Sequence, residues 1–209
     1  MVTDAVTASW DVADPKVQAA NYDRWADSFE RDLFAMGYRL PAVLAAVVAT
    51  HVDPASGPVL DAGCGTGLQA EPLALAGFGP FTGIDLSEGM LKVAKGKGIY
   101  ADLHRTPVEQ QLDLPDASFA LAIAGGVLTP GHAPPTAIDG LVRAVRPGGA
   151  IAITLRDDPS MEPAYRERAE HLCDLGRMSL TFATEPFVGM PYGENANVTH
   201  RVRLYRVSD

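Results

Sequence analysis

The sequence predicts an α/β fold: a doubly wound, seven-stranded and mostly parallel sheet with a C-terminal antiparallel hairpin and N-terminal cap helices. Two observations predict it. Five strand-like runs, near residues 58–62, 80–85, 101–105, 119–125 and 150–155, alternate with helical stretches, as strands and crossover helices do in a parallel sheet. The first of these runs passes directly into a glycine-rich turn, Asp61-Ala62-Gly63-Cys64-Gly65-Thr66-Gly67, with a helical pattern behind it.

Taken in order, the chain opens with a helical region dense in aromatic residues, which holds Tyr22, Trp25, Phe29 and Tyr38, and continues into an apolar run over residues 41–52 that Asp53-Pro54 closes. Val59 and Leu60 are apolar strand formers. The glycines after them allow positive φ and let a ligand approach the backbone, and the helix expected over residues 68–76 points its N-terminus at the same place. A nucleotide-like ligand is expected there. The dinucleotide fingerprint needs glycine at its sixth position, where this chain has Leu68, which argues against a nicotinamide cofactor.

The second strand ends in Gly83-Ile84-Asp85-Leu86-Ser87, 22 residues beyond Gly63, where mononucleotide-binding halves place a carboxylate on a ribose. The alternative role for Asp85 is to cap the helix that starts near Ser87. The third strand covers residues 101–105. The fourth, residues 119–125, leads into a Gly/Pro-rich loop carrying His132, and small residues at Gly125 and Gly126 suit close backbone approach. Residues 141–146 read as an amphipathic helix that Pro147-Gly148-Gly149 reverses into the fifth strand. A helix over residues 162–175 and strands over 179–188 and 199–207, joined by a turn with Pro191, Gly193 and Asn195, complete the layout.

With 209 residues and 47% hydrophobic content, the chain is expected to form one domain: cap helices over residues 1–52, a cofactor-binding half over 53–158, and a helix with hairpin over 159–209. A net charge of −9 and the lack of a basic run argue against a nucleic-acid partner. No apolar run has membrane-spanning length, and the acidic N-terminal residues lack a signal peptide's basic flank, so a cytoplasmic protein is expected. Two cysteines, Cys64 and Cys173, exclude a disulfide framework and a thiolate metal cage, and no metal is expected. Oligomeric state is left open by the sequence.

A hydrophobic strand ending in an acid and followed by G-x-G-x-G resembles the first motif of the class I S-adenosylmethionine-dependent methyltransferases. The Arg146-Pro147-Gly148-Gly149 turn is frequent in that class too. The resemblance implies the Rossmann-like methyltransferase fold, S-adenosyl-L-methionine as cofactor and S-adenosyl-L-homocysteine as product. It implies that Asp61, Gly63, Cys64, Gly65, Thr66 and Gly67 cradle the cofactor, that Asp85 binds its ribose with Leu86 also in contact with the cofactor, and that Met90 and Leu91 wall one face of its adenine. Tyr22 and Trp25 would cover it, and Gly125 would face its methionine portion.

The family's acid for the adenine edge, placed a fixed distance before Pro115-Asp116-Ala117-Ser118-Phe119, falls here on Val108 with Glu109 beside it. Either Glu109 or a backbone amide and carbonyl would make that contact. The Tyr22-Asp23-Arg24-Trp25-Ala26 pattern, Lys97-Gly98-Ile99-Tyr100 and the Gly131-His132 loop look most like the Williams-Beuren-region methyltransferase-like subgroup. The expected function is in-line methyl transfer to a small-molecule acceptor. A cofactor-binding module without catalysis, acting through a protein partner, is the alternative. If a general base is used, it is His132, with Tyr38, Arg156 and Tyr192 shaping the substrate site. Arg156 would meet an anionic group or pair with Asp157 or Asp158.

Overall fold

A computed structural model describes residues 12, 14–157, 163–193 and 196–208. The N-terminal residues 1–11 and 13, and the expected roles of Asp158, Glu162 and Asn195, lie outside the described residues.

The helices are α1 (Pro15–Trp25), α2 (Phe29–Ala35), α3 (Leu40–His51), α4 (Ala70–Leu75), α5 (Glu88–Gly96), α6 (Ala137–Ala144) and α7 (Pro163–Asp174). The strands are β1 (Val59–Ala62), β2 (Phe81–Asp85), β3 (Tyr100–Arg105), β4 (Phe119–Ala124), β5 (Val145–Arg156), β6 (Met178–Ala183), β7 (Phe187–Val188) and β8 (Thr199–Val207). They form one sheet in the order β3-β2-β1-β4-β5-β8-β6, with β7 also paired to β8. The first five strands of that order are parallel, and β8 runs antiparallel to β5, β6 and β7. This is the Rossmann-like methyltransferase fold that the sequence predicts. It has eight strands rather than seven because Pro186, which has no N–H to give to a ladder, falls inside the expected 179–188 strand; β6 ends before it and β7 begins after it.

Alternation along the central strands builds a core on each face. On β4, Leu121 and Ile123 pack with Leu44, Val48 and Leu73 of α3 and α4, whereas Ala122 and Ala124 pack with Ile138 and Leu141 of α6. The edge strand β3 is exposed at Asp102, His104 and Arg105, a charged rim that discourages further pairing.

Two elements depart from the expected boundaries. The helix behind the glycine turn is shorter, because Leu68 and Gln69 still belong to the turn. Arg146-Pro147-Gly148-Gly149 is no separate reversal: α6 ends at Ala144, β5 starts at Val145, and the four residues bulge out of the strand between its pairing of Val145 with Phe119 and of Ala150 with Leu121.

Polar contacts at the glycine turn's side anchor the cap. Asp23 of α1 accepts hydrogen bonds from the Ser87 hydroxyl (2.6 Å) and the Gly89 amide (2.8 Å) at the start of α5. Lys97 joins Glu30 of α2 (2.8 Å) to Glu71 of α4 (2.6 Å). Between them Trp25, Leu33 and Met36 make a small core of their own, and the Trp25 indole donates to buried Asp32 (2.9 Å). The apolar run of residues 41–52 is α3, whose Leu44 and Val48 are fully buried against the sheet, and no single described helix is long and apolar enough to cross a membrane.

Candidate active site

The carboxyl ends of β1, β2, β4 and β5 surround a cavity of about 190 Å³ that α1 and α2 cover. Gly63, Gly65, Asp85, Leu86, Met90 and Val108 form one end of it. At Gly65 φ is +53°, and a Cβ there would point into open space, so the turn leaves a cradle between backbone and cavity. The Asp85 carboxylate accepts from the Gly65 amide (2.9 Å) and the Ser87 amide (2.8 Å), strapping the glycine turn to the start of α5. Capping of α5 belongs to Ser87, whose hydroxyl accepts from the Met90 amide (3.1 Å). Burial raises the Asp85 pKa, against the three backbone N–H groups of Ser87, Gly65 and Leu86 that favour its ionised form. A carboxylate has acceptor sites left after two such bonds, so ribose hydroxyls can still donate to it.

The other end is lined by Gly125, Gly126, Thr129, His132, Arg156 and His200, with Tyr22 and Tyr38 above them. Tyr22 and Trp25 of α1 stack at 6.0 Å, and Phe29 meets both rings edge-on. The Tyr22 hydroxyl is 2.7 Å from Nε2 of His132, whose Nδ1 is 3.1 Å from the Thr129 hydroxyl. Burial first, and the Asp85 charge second, raise the Tyr22 pKa, so its hydroxyl stays protonated beside the His132 ring. The Gln18 amide also closes on the Gly131 carbonyl. At Gly126 a Cβ would stand 2.6 Å from the Tyr38 hydroxyl, so a side chain there would displace that tyrosine.

Several expected site residues lie elsewhere. Asp61 is fully buried beneath the turn, where it accepts from Tyr100 (2.6 Å) and from Gln69, and its carboxylate is outside the cavity wall. Burial pushes its pKa up to about 7, outweighing both hydrogen bonds. Cys64 and Thr66 point into the protein body, and Gly67 lies against the Tyr100 ring. Glu109 is turned to solvent in the loop after β3, leaving Val108 to face the cavity. Tyr192 is 76% exposed over Gly37, and Met190 takes the place in the wall. Asp157 pairs with Arg201 (2.8 Å), and Arg156 lines the cavity.

The sequence reading missed Gln18, Asp23, Ser87, Tyr100 and His200. His200 carried a legible signal: it alternates with Val202 and Leu204 on the buried face of β8. Among the described residues no cluster of His, Cys, Asp or Glu is arranged to hold a metal.

Residues 60–153 match the methyltransferase domain family. Over those residues the chain is similar to the class I S-adenosylmethionine-dependent methyltransferases. It is 36% identical over 156 residues, 73% of its length, to human methyltransferase-like protein 27, and that alignment spans 63% of the relative. Two solved methyltransferases share its fold. One, from Thermotoga maritima, has a TM-score of 0.64 at 16% identity over 90% of this chain and 98% of the other. The second is Burkholderia thailandensis 1,6-didemethyltoxoflavin-N1-methyltransferase with bound S-adenosylhomocysteine, with a TM-score of 0.63 at 21% identity over 95% of this chain and 92% of the other.

Proposed function

We propose that this methyltransferase moves the methyl group of S-adenosylmethionine onto a small-molecule acceptor, within the methyltransferase-like subgroup that the sequence resembles. The observation that carries this reading is the covered cavity with the Gly65 cradle and Asp85 at one end and the Tyr22–His132 pair at the other. The bound cofactor supplies a methyl group made electrophilic by a sulfonium charge. Asp85 would accept from the ribose hydroxyls, Leu86, Met90 and Val108 would flank the adenine, and the Gly63 and Gly65 backbone would face the remainder.

Tyr22, Trp25 and Phe29 exclude water and supply ring faces suited to a cation. An acceptor that loses a proton gives it up at this aromatic end. Because the Tyr22 hydroxyl sits on His132 Nε2, the proton would pass to Tyr22 Oη as the Tyr22 proton moves to Nε2. α1 and α2 cover much of the cavity, and a small acceptor suits its size. The relative from Burkholderia thailandensis, by its name, also acts on a small molecule.

Calorimetry with S-adenosylhomocysteine, followed by product detection across phenols, carboxylates, thiols and amines, tests this reading. Failure to bind the cofactor product overturns it. Binding without turnover of any acceptor would favour the non-catalytic module.

A further inference from the structure

We propose that Asp61, buried beneath the glycine turn, lets the site distinguish cationic S-adenosylmethionine from its uncharged product by releasing a proton when the sulfonium binds and regaining one when the methyl group has left. This rests on the methyl-transfer reading and adds to it a residue that sets cofactor specificity.

Asp61 stands near the end of β1, two residues before Gly63, which is part of the cavity wall, so its carboxylate lies behind the turn and not in the cavity itself. It is fully buried and accepts from the Tyr100 phenol of β3 (2.6 Å) and from the Gln69 amide. Among the described residues neither Asp61 nor Asp85 forms an ion pair. The other titratable groups that act on Asp61 are the Asp85 carboxylate of β2 and the Cys64 thiol of the turn, and neither can offset a negative charge. On the β4 side its ladder partner is Ile123, and Lys97, whose stem lies beside Gly67, is held by Glu30 and Glu71. The positive charge that these acids lack is the one the cofactor brings.

Burial, opposed by both hydrogen bonds and reinforced by the Asp85 charge, pushes the Asp61 pKa up to about 7, so its two forms lie close in free energy near neutral pH. Gln69 can serve both. It is 4% exposed, and its Oε1 is buried with no hydrogen-bond partner. The amide nitrogen donates to ionised Asp61; with the carboxamide turned over, nitrogen and oxygen exchange places and the oxygen accepts from the protonated acid.

S-adenosylmethionine and S-adenosylhomocysteine carry the same amino and carboxyl groups and differ in charge at sulfur alone. A cation in a water-poor site favours the ionised acid, so the sulfonium sends the Asp61 proton to solvent. In methyl transfer the methyl carbon leaves sulfur, which keeps the bonding pair and becomes an uncharged thioether. Asp61 then takes a proton from solvent, and the product is held without the attraction that held the substrate.

Calorimetry in buffers of different ionisation enthalpy, with no acceptor present, counts the protons exchanged on binding. At about pH 6.5, S-adenosylmethionine is expected to release about half a proton and S-adenosylhomocysteine close to none, if the sulfonium eases ionisation of Asp61 by about tenfold. The ratio of the two affinities should then rise about fivefold from about pH 5.5 to about pH 7.5. Asp61→Asn is expected to abolish both effects, and Tyr100→Phe, which removes a donor that favours the ionised acid, to move the rise to higher pH. Equal proton counts for the two ligands in the wild-type protein, or a difference that survives Asp61→Asn, overturns the proposal. The wild-type counts decide the matter even if Asp61→Asn does not fold. Failure of the wild-type protein to bind either ligand would instead strike the methyl-transfer reading itself.

Discussion

The Tyr22 hydroxyl lies 2.7 Å from His132 Nε2, although 110 residues separate the two in sequence. The contact makes a cap helix and a strand-end loop into one unit, so a change at either ring is felt at the other. Tyr22→Phe, which keeps the ring packing, and His132→Ala should each slow turnover by roughly 10²–10⁴-fold, the usual cost of losing a positioned base. The double variant should be little slower than either single one. Rates that multiply in the double variant would show two independent roles, and a Tyr22→Phe rate near wild type would leave that residue as packing alone.

Asp85 does two things with one carboxylate, holding the Gly65 amide and facing the cavity. Asp85→Ala should therefore weaken S-adenosylhomocysteine binding by at least about tenfold, or about 1.4 kcal/mol. Isothermal titration reads this directly. An unchanged affinity would limit Asp85 to fixing the turn.

Asp61 gives a pH signature. Its pKa in the folded protein, about 7, is above the ordinary carboxylate value, so between those two values the folded state holds a proton that the unfolded chain has released. The contribution is then reversed from that of a salt-bridged acid: stability is lost as pH rises from about 4 towards 7. Asp61→Asn should flatten that part of the profile, gaining on the wild type as pH rises. Denaturant midpoints across this range would show it, and parallel profiles for the two proteins would count against a protonated Asp61.

Asp23 is an anchor outside the sheet. Removing its carboxylate in Asp23→Ala breaks two hydrogen bonds to the start of α5, each worth about 0.5–1.5 kcal/mol. Amide exchange should quicken along α1, with strands β1, β4 and β5 unaffected. Exchange that quickens everywhere would mean that the cap is part of the global folding unit.

How legible was all this beforehand? The parallel half was plain, because alternating strand and helix patterns and the glycine turn act over short stretches of chain. The bulge at residues 146–149 was not, since Pro-Gly-Gly serves a turn and a bulge equally well and only pairing with β4 decides between them. Pro186 inside an expected strand was a local warning that the reading passed over. Cavity-facing residues split in the same way. Asp85 followed from spacing along one βαβ unit, whereas the burial of Asp61 depends on Tyr100, 39 residues away, and no local pattern announces that partner. Tyr192 lies in a turn, where nothing in the neighbouring residues fixes which way the ring points.

The insertion of β8 between β5 and β6 also bears on how the chain is made. Ribosomes release β5 long before β8, so the outer edge of β5 has no neighbour while some forty residues are still being added, and β6 has no strand to join at all. A nascent chain halted before Thr199 would display an apolar edge rich in Ile and Ala, a template for strand addition from another molecule. Premature stop codons between Asp157 and Thr199 should therefore yield insoluble product more readily than ones placed early in the cap.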